Sequence, residues 1–293
     1  MPTMPSVLVF GKSGQLATAL RAEAGRSVLA MGRADVDVTS ASAVRAAILT
    51  HQPGLVINAS AYTAVDKAEA ERDAALALNA TAPGVMASCC VEAGAAFVHV
   101  STDYVFDGEQ GAPYLESHPT SPVNFYGETK RRGELAVLDA GGRTAVIRTS
   151  WVFSGSGSNF VRTMLRLARD REEVGVVGDQ YGRPTGATDL AEACLAVGDR
   201  MTADDGSATG IFHFANSGDT TWAEFADAVM GEAAGLGIRP ARIRAITTAD
   251  YPTLAKRPRD SRLATARIEA LMGRAPRPWS APLRAAVRAL AAL

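Results

Sequence analysis

Tyr126 and Lys130 stand four residues apart in the stretch NFYGETK, a spacing that puts both side chains on one face of a helix. A free phenol has a pKa near ~10, too high for easy proton exchange at neutral pH, and a neighbouring ammonium lowers it by stabilising the phenolate. Upstream, STDYVFDG starts at Ser101 and places Thr102 at the end of an apolar run. A tuned phenol, its cation and a strand-end hydroxyl together describe proton donation to a carbonyl. In that reading Tyr126 is the general acid, Lys130 its tuner and Thr102 the group that orients the substrate oxygen. Taken alone, the Tyr-x-x-x-Lys pair also fits an ordinary pair on a surface helix.

A second set of residues could hold a dinucleotide. GKSGQLA runs from Gly11 to Ala17 after an apolar run and at the start of a helical one. Gly11 and Gly14, with Ser13, Gln15 and Leu16 around them, would bring backbone N–H groups and a helix N-terminus against a pyrophosphate. The spacing is one residue wider than Gly-x-Gly-x-x-Gly, and a plain glycine turn is the alternative. The second strand ends on Gly32 and Arg33, where an NAD-preferring site would carry Asp or Glu. A guanidinium suits a 2′-phosphate, which favours NADPH and leaves NADH open; Arg33 as a solvated turn residue is the other reading. Asp37 and Val38 open a loop in position to touch the adenine, and Ala59, Ser60, Ala61, Tyr62 and Thr63 should run along the cofactor.

The elements that must position these groups are legible in outline. Apolar runs at 6–11, 27–32, 54–60, 96–102 and 144–150 alternate with helical stretches at 15–25, up to Pro53, 66–94 and 126–139. Pro83 is expected to divide the 66–94 stretch into two helices. This alternation predicts an α/β fold with a Rossmann-like, doubly wound parallel sheet covered on both faces. After residue 150 the regularity falls. DQYGRPT (179–185) reads as a loop, and Thr220 or Thr221 with Glu224 has capping-box spacing. The organisation expected is a dinucleotide domain over 1–150 and a smaller, interleaved substrate lobe over 151–293, with elements from about 174–215 returning to the sheet.

The set Gly11–Ala17, Thr102, Tyr126 and Lys130 resembles the extended short-chain dehydrogenase/reductase superfamily. Within it NASAYTAVDKAE, SPVNFYGETKRRGE, RTSWVFSGSGSNFV, DQYGRPTGATDLA and RPRDSRL resemble the dTDP-4-dehydrorhamnose reductase family, over residues 11 to about 263. The resemblance implies NADPH-dependent reduction of the C4 ketone of dTDP-4-dehydro-β-L-rhamnose to dTDP-L-rhamnose. It implies that Lys130 also holds the ribose beside the nicotinamide and that Trp151 packs on the sugar. Val65, Asp66 and Asp103 would lie near the sugar, and Arg257 and Arg262 would contact the diphosphate. Asp103 may be read equally as a capping carboxylate, and Trp151 as core. Dehydratases of the superfamily commonly carry Asp-Glu after the strand-end threonine; this chain has Asp103 and Tyr104, which favours reduction. An epimerase or dehydratase on the same scaffold, or a non-catalytic cofactor-binding regulatory subunit, are the alternatives. Some relatives bind Mg²⁺ between subunits through glutamates; Ala19 and Thr188 stand at the aligned positions and argue against it, so no metal is expected, and a homodimer stays open.

Composition bounds the rest. Thirty basic and 31 acidic residues give a net charge of −1, so nucleic acid and anionic membrane are not expected partners. The N-terminus lacks a signal-peptide form, and no run was expected to approach the ~20 apolar residues of a membrane span. Three cysteines, Cys89, Cys90 and Cys194, make no disulfide framework and point to a cytoplasmic enzyme. His51, His99, His118 and His213 have no metal-ligand spacing, and His99 is expected to be packed in its strand.

Overall fold

Val7–Phe10 is apolar at every position and buried on both faces, which makes it a central strand of a parallel sheet. The computed structural model describes residues 6–23, 25–203 and 208–292. The chain begins with β1 (Val7–Phe10), α1 (Gln15–Ala22), β2 (Val28–Met31), α2 (Ala41–His51) and β3 (Leu55–Asn58). It continues through α3 (Val65–Ala68), α4 (Arg72–Leu76), α5 (Ala82–Ala93), β4 (Ala96–Thr102), α6 (Phe125–Asp139) and β5 (Thr144–Thr149). Beyond these lie β6 (Val152–Phe153), α7 (Phe160–Asp170), β7 (Glu173–Val177), β8 (Tyr181–Gly182), β9 (Thr185–Gly186), α8 (Ala187–Thr202) and β10 (Gly210–His213). The last elements are β11 (Thr220–Thr221), α9 (Trp222–Ala234), β12 (Arg242–Ile246), α10 (Ala266–Met272) and α11 (Ser280–Ala291).

Six parallel strands form the main sheet in the order β10-β5-β4-β3-β1-β2. The order reverses at β1, which pairs with β3 on one side and β2 on the other, so the crevice for a ligand opens beyond their C-terminal ends. Side chains alternate across the sheet. Val7 and Val9 face α1 and α8 with Leu16, Leu20, Leu190 and Cys194; Leu8 and Phe10 face α2 and α5 with Val44, Ile48, Met86 and Cys90. This is the doubly wound α/β architecture expected.

A second lobe packs α7, α9 and α11 around a parallel pair, β7 with β12, in register from Glu173↔Arg242 to Val177↔Ile246. Of the stretch expected to return to the main sheet, α8 and β10 do so, whereas β7 belongs to this lobe. Pairing with a strand that arrives almost seventy residues later leaves no local signal. Thr221 caps α9 in a reciprocal box with Glu224. The segment expected as a plain loop holds β8 and β9.

Pro83 does not divide its helix. It sits in the first turn of α5, where its missing N–H costs little, and a wide π turn over Ala77–Thr81 precedes it. The break falls earlier, near Glu69–Glu71, between α3 and α4. The uninterrupted helix Arg72–Ala93 is therefore long and apolar enough to cross a membrane by length and composition, contrary to the expectation; here its α5 portion packs between α2 and α6. Residues 1–5, read as part of an N-terminus without signal-peptide form, lie outside the described residues.

Candidate active site

The glycine turn forms one wall of a cleft of about 330 Å³ at the switch point, which also reaches Thr102, Asp103, Tyr126, Lys130 and Trp151. Gly11 has φ +116°, and a Cβ there would stand 3.2 Å from the Ala59 backbone, so glycine is required by the fold itself. Gly14 differs. Its φ is −70°, a Cβ there would meet nothing within 4 Å, and it caps α1 without any side-chain bond. The protein's own packing makes no demand for glycine at this position; a ligand approaching the free N–H groups of α1 would. Gln15, Leu16, Ala59, Ser60, Ala61 and Thr63 line the same cleft.

Helix α6 carries Tyr126 and Lys130. Asn124 caps it, accepting the Gly127 N–H at 2.8 Å. Gly127 and Gly133 let it lie against the chain: a Cβ on them would come within 2.1 Å of the Tyr104 carbonyl and 2.0 Å of the Asn79 carbonyl. This seats Tyr126 edge-on to Tyr104, with ring centroids 5.9 Å apart. Burial pushes the Tyr126 phenol up to about 12, partly opposed by the nearby Thr102 hydroxyl. Lys130 follows one turn along α6. Its Nζ donates to the Val100 carbonyl at 2.7 Å and meets His99 Nε2 at 3.2 Å, and burial brings Lys130 down to about 8.

Thr102 Oγ1 donates to Asp103 Oδ1 at 3.0 Å and accepts the Tyr104 N–H at 3.2 Å. Burial pushes the Asp103 carboxyl up to about 7, and its Oδ2 has no hydrogen-bond partner. The Thr149 hydroxyl, on β5 in register with Thr102, is equally without a partner and lines the same cleft. Two buried polar atoms awaiting partners in one cleft suit a ligand rich in oxygen. Thr149 was absent from the sequence reading; its place at the end of a parallel strand was the available signal. Beneath them Glu134 and Arg148, each no more than 1% exposed, form a two-point ion pair at 2.9 and 2.8 Å, and Ser101 Oγ donates to Glu134 at 2.7 Å. This pair, too, escaped the sequence reading, since its members are on different elements.

Arg33, Asp37 and Val38 border an adjoining cleft of about 250 Å³ with Gly11, Ser13 and Gly14. Lys12 also lines it, bridged to Asp35 at 3.0 Å. Asp37 Oδ1 accepts both the N–H and the hydroxyl of Thr39. Tyr62 lies outside both clefts, its N–H held by Asn79 and its hydroxyl by Glu71.

A third cleft, about 630 Å³, opens between α7, β7 and the 251–257 segment and includes Asp66, Tyr104, Gln180, Trp222 and Arg257. Arg257 grips Asp66 through two bonds of 2.6 and 2.7 Å, so both stand at the cleft but on each other. Val65 begins α3, half-buried, and lines none of the three clefts. Arg262 is also away from them. Asp260 and Asp219 hold it at 2.6 and 2.7 Å, making it a clamp for the tail. Trp151 joins the first cleft to this region: its backbone is left-handed (φ +47°) and its ring stacks on Trp222 at 3.6 Å. Among the described residues no group of three or more His, Cys, Asp or Glu is disposed to hold a metal.

Comparison with known proteins agrees over nearly the whole chain. The family model described as RmlD substrate binding domain matches residues 4–292. A dTDP-4-dehydrorhamnose reductase of Streptomyces griseus is 42% identical over 290 residues, 98% of this chain and 94% of that one. One from Shigella flexneri is 41% identical over 276 residues, covering 90% and 91%. Among solved structures, a dTDP-4-dehydrorhamnose reductase from Clostridium acetobutylicum superposes with a TM-score of 0.90 at 34% identity, covering 97% of this chain and 99% of that one. Another, from Bacillus anthracis in complex with NADP, gives 0.87 at 30% identity with 99% of both chains covered. With its glycine turn, strand-end threonine and Tyr–Lys helix in one cleft, the chain belongs to the dTDP-4-dehydrorhamnose reductase family.

Proposed function

We propose that this protein reduces the C4 ketone of dTDP-4-dehydro-β-L-rhamnose to dTDP-L-rhamnose with NADPH, the last step of dTDP-rhamnose formation. The observation that carries the reading is the single cleft shared by Gly14, Thr102, Tyr126 and Lys130. The residues fit the cofactor: Gly14 leaves the α1 N-terminus open, and Lys12 and Arg33 border the cleft where a 2′-phosphate would lie. When bound, NADPH supplies the hydride to C4. Tyr126 gives its proton to the carbonyl oxygen, which Thr102 holds by its hydroxyl, and Lys130 lies one helical turn behind. The unpartnered Asp103 Oδ2 and Thr149 Oγ1 are placed to bind sugar hydroxyls or the nicotinamide amide. Trp151, backed by Trp222, offers an aromatic face to the deoxysugar. The nucleoside diphosphate would extend into the third cleft, towards Arg257 and the Asp66 end of α3, with Val65 beside it. Arg262 would act at one remove, by fixing the tail.

Tyr104 occupies the place where a dehydratase would need a carboxylate base, and its ring is packed on Tyr126, which speaks against elimination chemistry. The reading includes a division into a dinucleotide domain and an interleaved substrate lobe, and a cytoplasmic enzyme acting as a monomer or homodimer without nucleic acid or membrane. Its three cysteines are free and buried, as suits a reducing compartment. The test is the loss of NADPH absorbance on addition of dTDP-4-dehydro-L-rhamnose. Tyr126→Phe should lower turnover by about 10²–10⁴-fold with NADPH affinity retained. Turnover near wild type in that variant would remove Tyr126 from the acid role.

A further inference from the structure

His99 lies at the centre of a buried polar chain that begins at the cofactor loop and ends on Lys130. Asn58 and His99 are 1% and 0% exposed, and Lys130 is 2% exposed. The direction of every bond in the chain can be assigned from its first member. The Ser60 backbone N–H is a donor only, and it points at Asn58 Oδ1 at 3.0 Å; the Ser60 hydroxyl also donates there at 2.7 Å. The Asn58 amide nitrogen must therefore be the atom 3.1 Å from His99 Nδ1, and it donates. Nδ1 is then an acceptor and carries no proton, so the proton of a neutral imidazole sits on Nε2. Nε2 is 3.2 Å from Lys130 Nζ. An N–H at that position and an ammonium would be two donors face to face. The contact is satisfied only if Nζ offers a lone pair.

We propose that His99 is a positioning residue that tunes the resting protonation of Lys130: locked by Asn58 with Nε2–H outward, it shifts Lys130 towards the neutral amine before ligands enter the cleft. The amine then donates one of its own hydrogens to the Val100 carbonyl, at 2.7 Å. The other charged or titratable groups around Lys130 do not reverse this. Glu134, one turn along α6, favours the ammonium, but its two oxygens are already taken by Ser101 and by Arg148 from β5. Asp103 and Tyr126, from the end of β4 and from α6, are themselves held towards their protonated forms by burial. Burial moves Lys130 in the same direction, down to about 8. The inference rests on the reductase reading only for its consequence, that the Tyr–Lys pair acquires its charge after the site fills.

His213 supplies an internal control. Its Nδ1 faces the Tyr114 carbonyl at 3.1 Å and must donate, which leaves Nε2 to accept from Arg148 at 3.3 Å. The two buried histidines should therefore be opposite tautomers. The experiment is ¹⁵N NMR of the full chain labelled in histidine, without ligands, from about pH 6 to about pH 9, where an exposed imidazole would change charge at the low end. With four histidines in the chain, single substitutions such as His99→Gln assign the signals. The expected result is a bare Nδ1 and protonated Nε2 for His99, the reverse for His213, and no change across the range. A second arm follows the Lys130 ¹³Cε shift, assigned by its loss in Lys130→Met. Asn58→Asp replaces the donor with an acceptor, should turn His99 to the Nδ1–H tautomer, and should raise the Lys130 midpoint by about one pH unit or more. An Nδ1–H or doubly protonated His99 in the wild type overturns the proposal, and so does an unmoved Lys130 midpoint in a folded Asn58→Asp. If that variant does not fold, the wild-type tautomer decides. Neither readout involves substrate, so an error in the proposed reaction would leave both results standing.

Discussion

Gly14→Ala should separate two properties that most substitutions lower together. The Gly14 backbone, at φ −70° and ψ 159°, is open to any residue, and an added Cβ meets no protein atom within 4 Å. Losing a glycine from the unfolded chain at a compatible position stabilises by about 0.4–1 kcal/mol. Alanine is a poorer helix N-cap than glycine by a similar amount, so the folded protein should melt at about the same temperature. Gly14 borders both the first cleft and the adjoining one, however, so in the proposed reading the new methyl projects into the space a pyrophosphate would fill. Forcing a methyl into an occupied site costs about 1–3 kcal/mol. That corresponds to roughly a 5- to 150-fold rise in the NADPH Kd. The assay is a fluorescence titration of NADPH beside a thermal melt of the same preparation. Unchanged affinity with unchanged stability would refute the argument that this turn is open for a cofactor. Weakened binding with a matching loss of stability would refute the claim that the fold makes no demand there.

Three further outcomes follow from other parts of the site. Arg33→Ala should weaken NADPH about tenfold and NADH hardly at all, measured by paired titrations at one ionic strength; equal losses would place Arg33 outside the 2′-phosphate site. Glu134→Gln leaves the Arg148 guanidinium buried without its counter-charge and should lower stability by about 3–5 kcal/mol in urea denaturation, while Glu134→Met with Arg148→Met together should recover most of it. A loss under 1 kcal/mol in the single variant would contradict the assigned burial, on the same scale of ~3–5 kcal/mol. Asp103 has a folded pKa raised to about 7 from an ordinary value near ~3.9, so the native state holds the extra proton between those values. Its contribution to stability is present at the acid end and falls as pH rises from about 4 to 7. Asp103→Asn should flatten that fall in denaturation midpoints taken across the range.

What the sequence disclosed and what it concealed divide along the reach of each signal. The Gly11–Ala17 turn and the Tyr126–Lys130 spacing are local patterns, and both lie in the same cleft. The apolar runs marked the strands of the main sheet, because a strand buried on both faces is mostly apolar. The partners of Lys130 were beyond the reach of the pattern: four-residue spacing says which face a side chain is on, and nothing about a carbonyl or imidazole waiting on another strand. Thr149 and the Glu134–Arg148 pair were passed over on the same account, and His99 was read only as packed in its strand. Each becomes meaningful through a partner that is far off in the chain and adjacent only once β3, β4 and β5 are side by side. Arg262 shows the converse. A lone arginine in a basic tail suggests an anion site, but two aspartates, one of them 43 residues away, already claim it.

The stacked Trp151 and Trp222 give this enzyme a built-in optical ruler. One indole follows the end of β5 in the main sheet and the other begins α9 of the second lobe, with 3.6 Å between ring centres and a 12° tilt. Chromophores at that range share their excited states, so their circular dichroism should carry an exciton couplet that fades as the rings part. Any breathing of the cleft between the lobes would then be visible in the unlabelled protein, before a single substrate molecule has turned over.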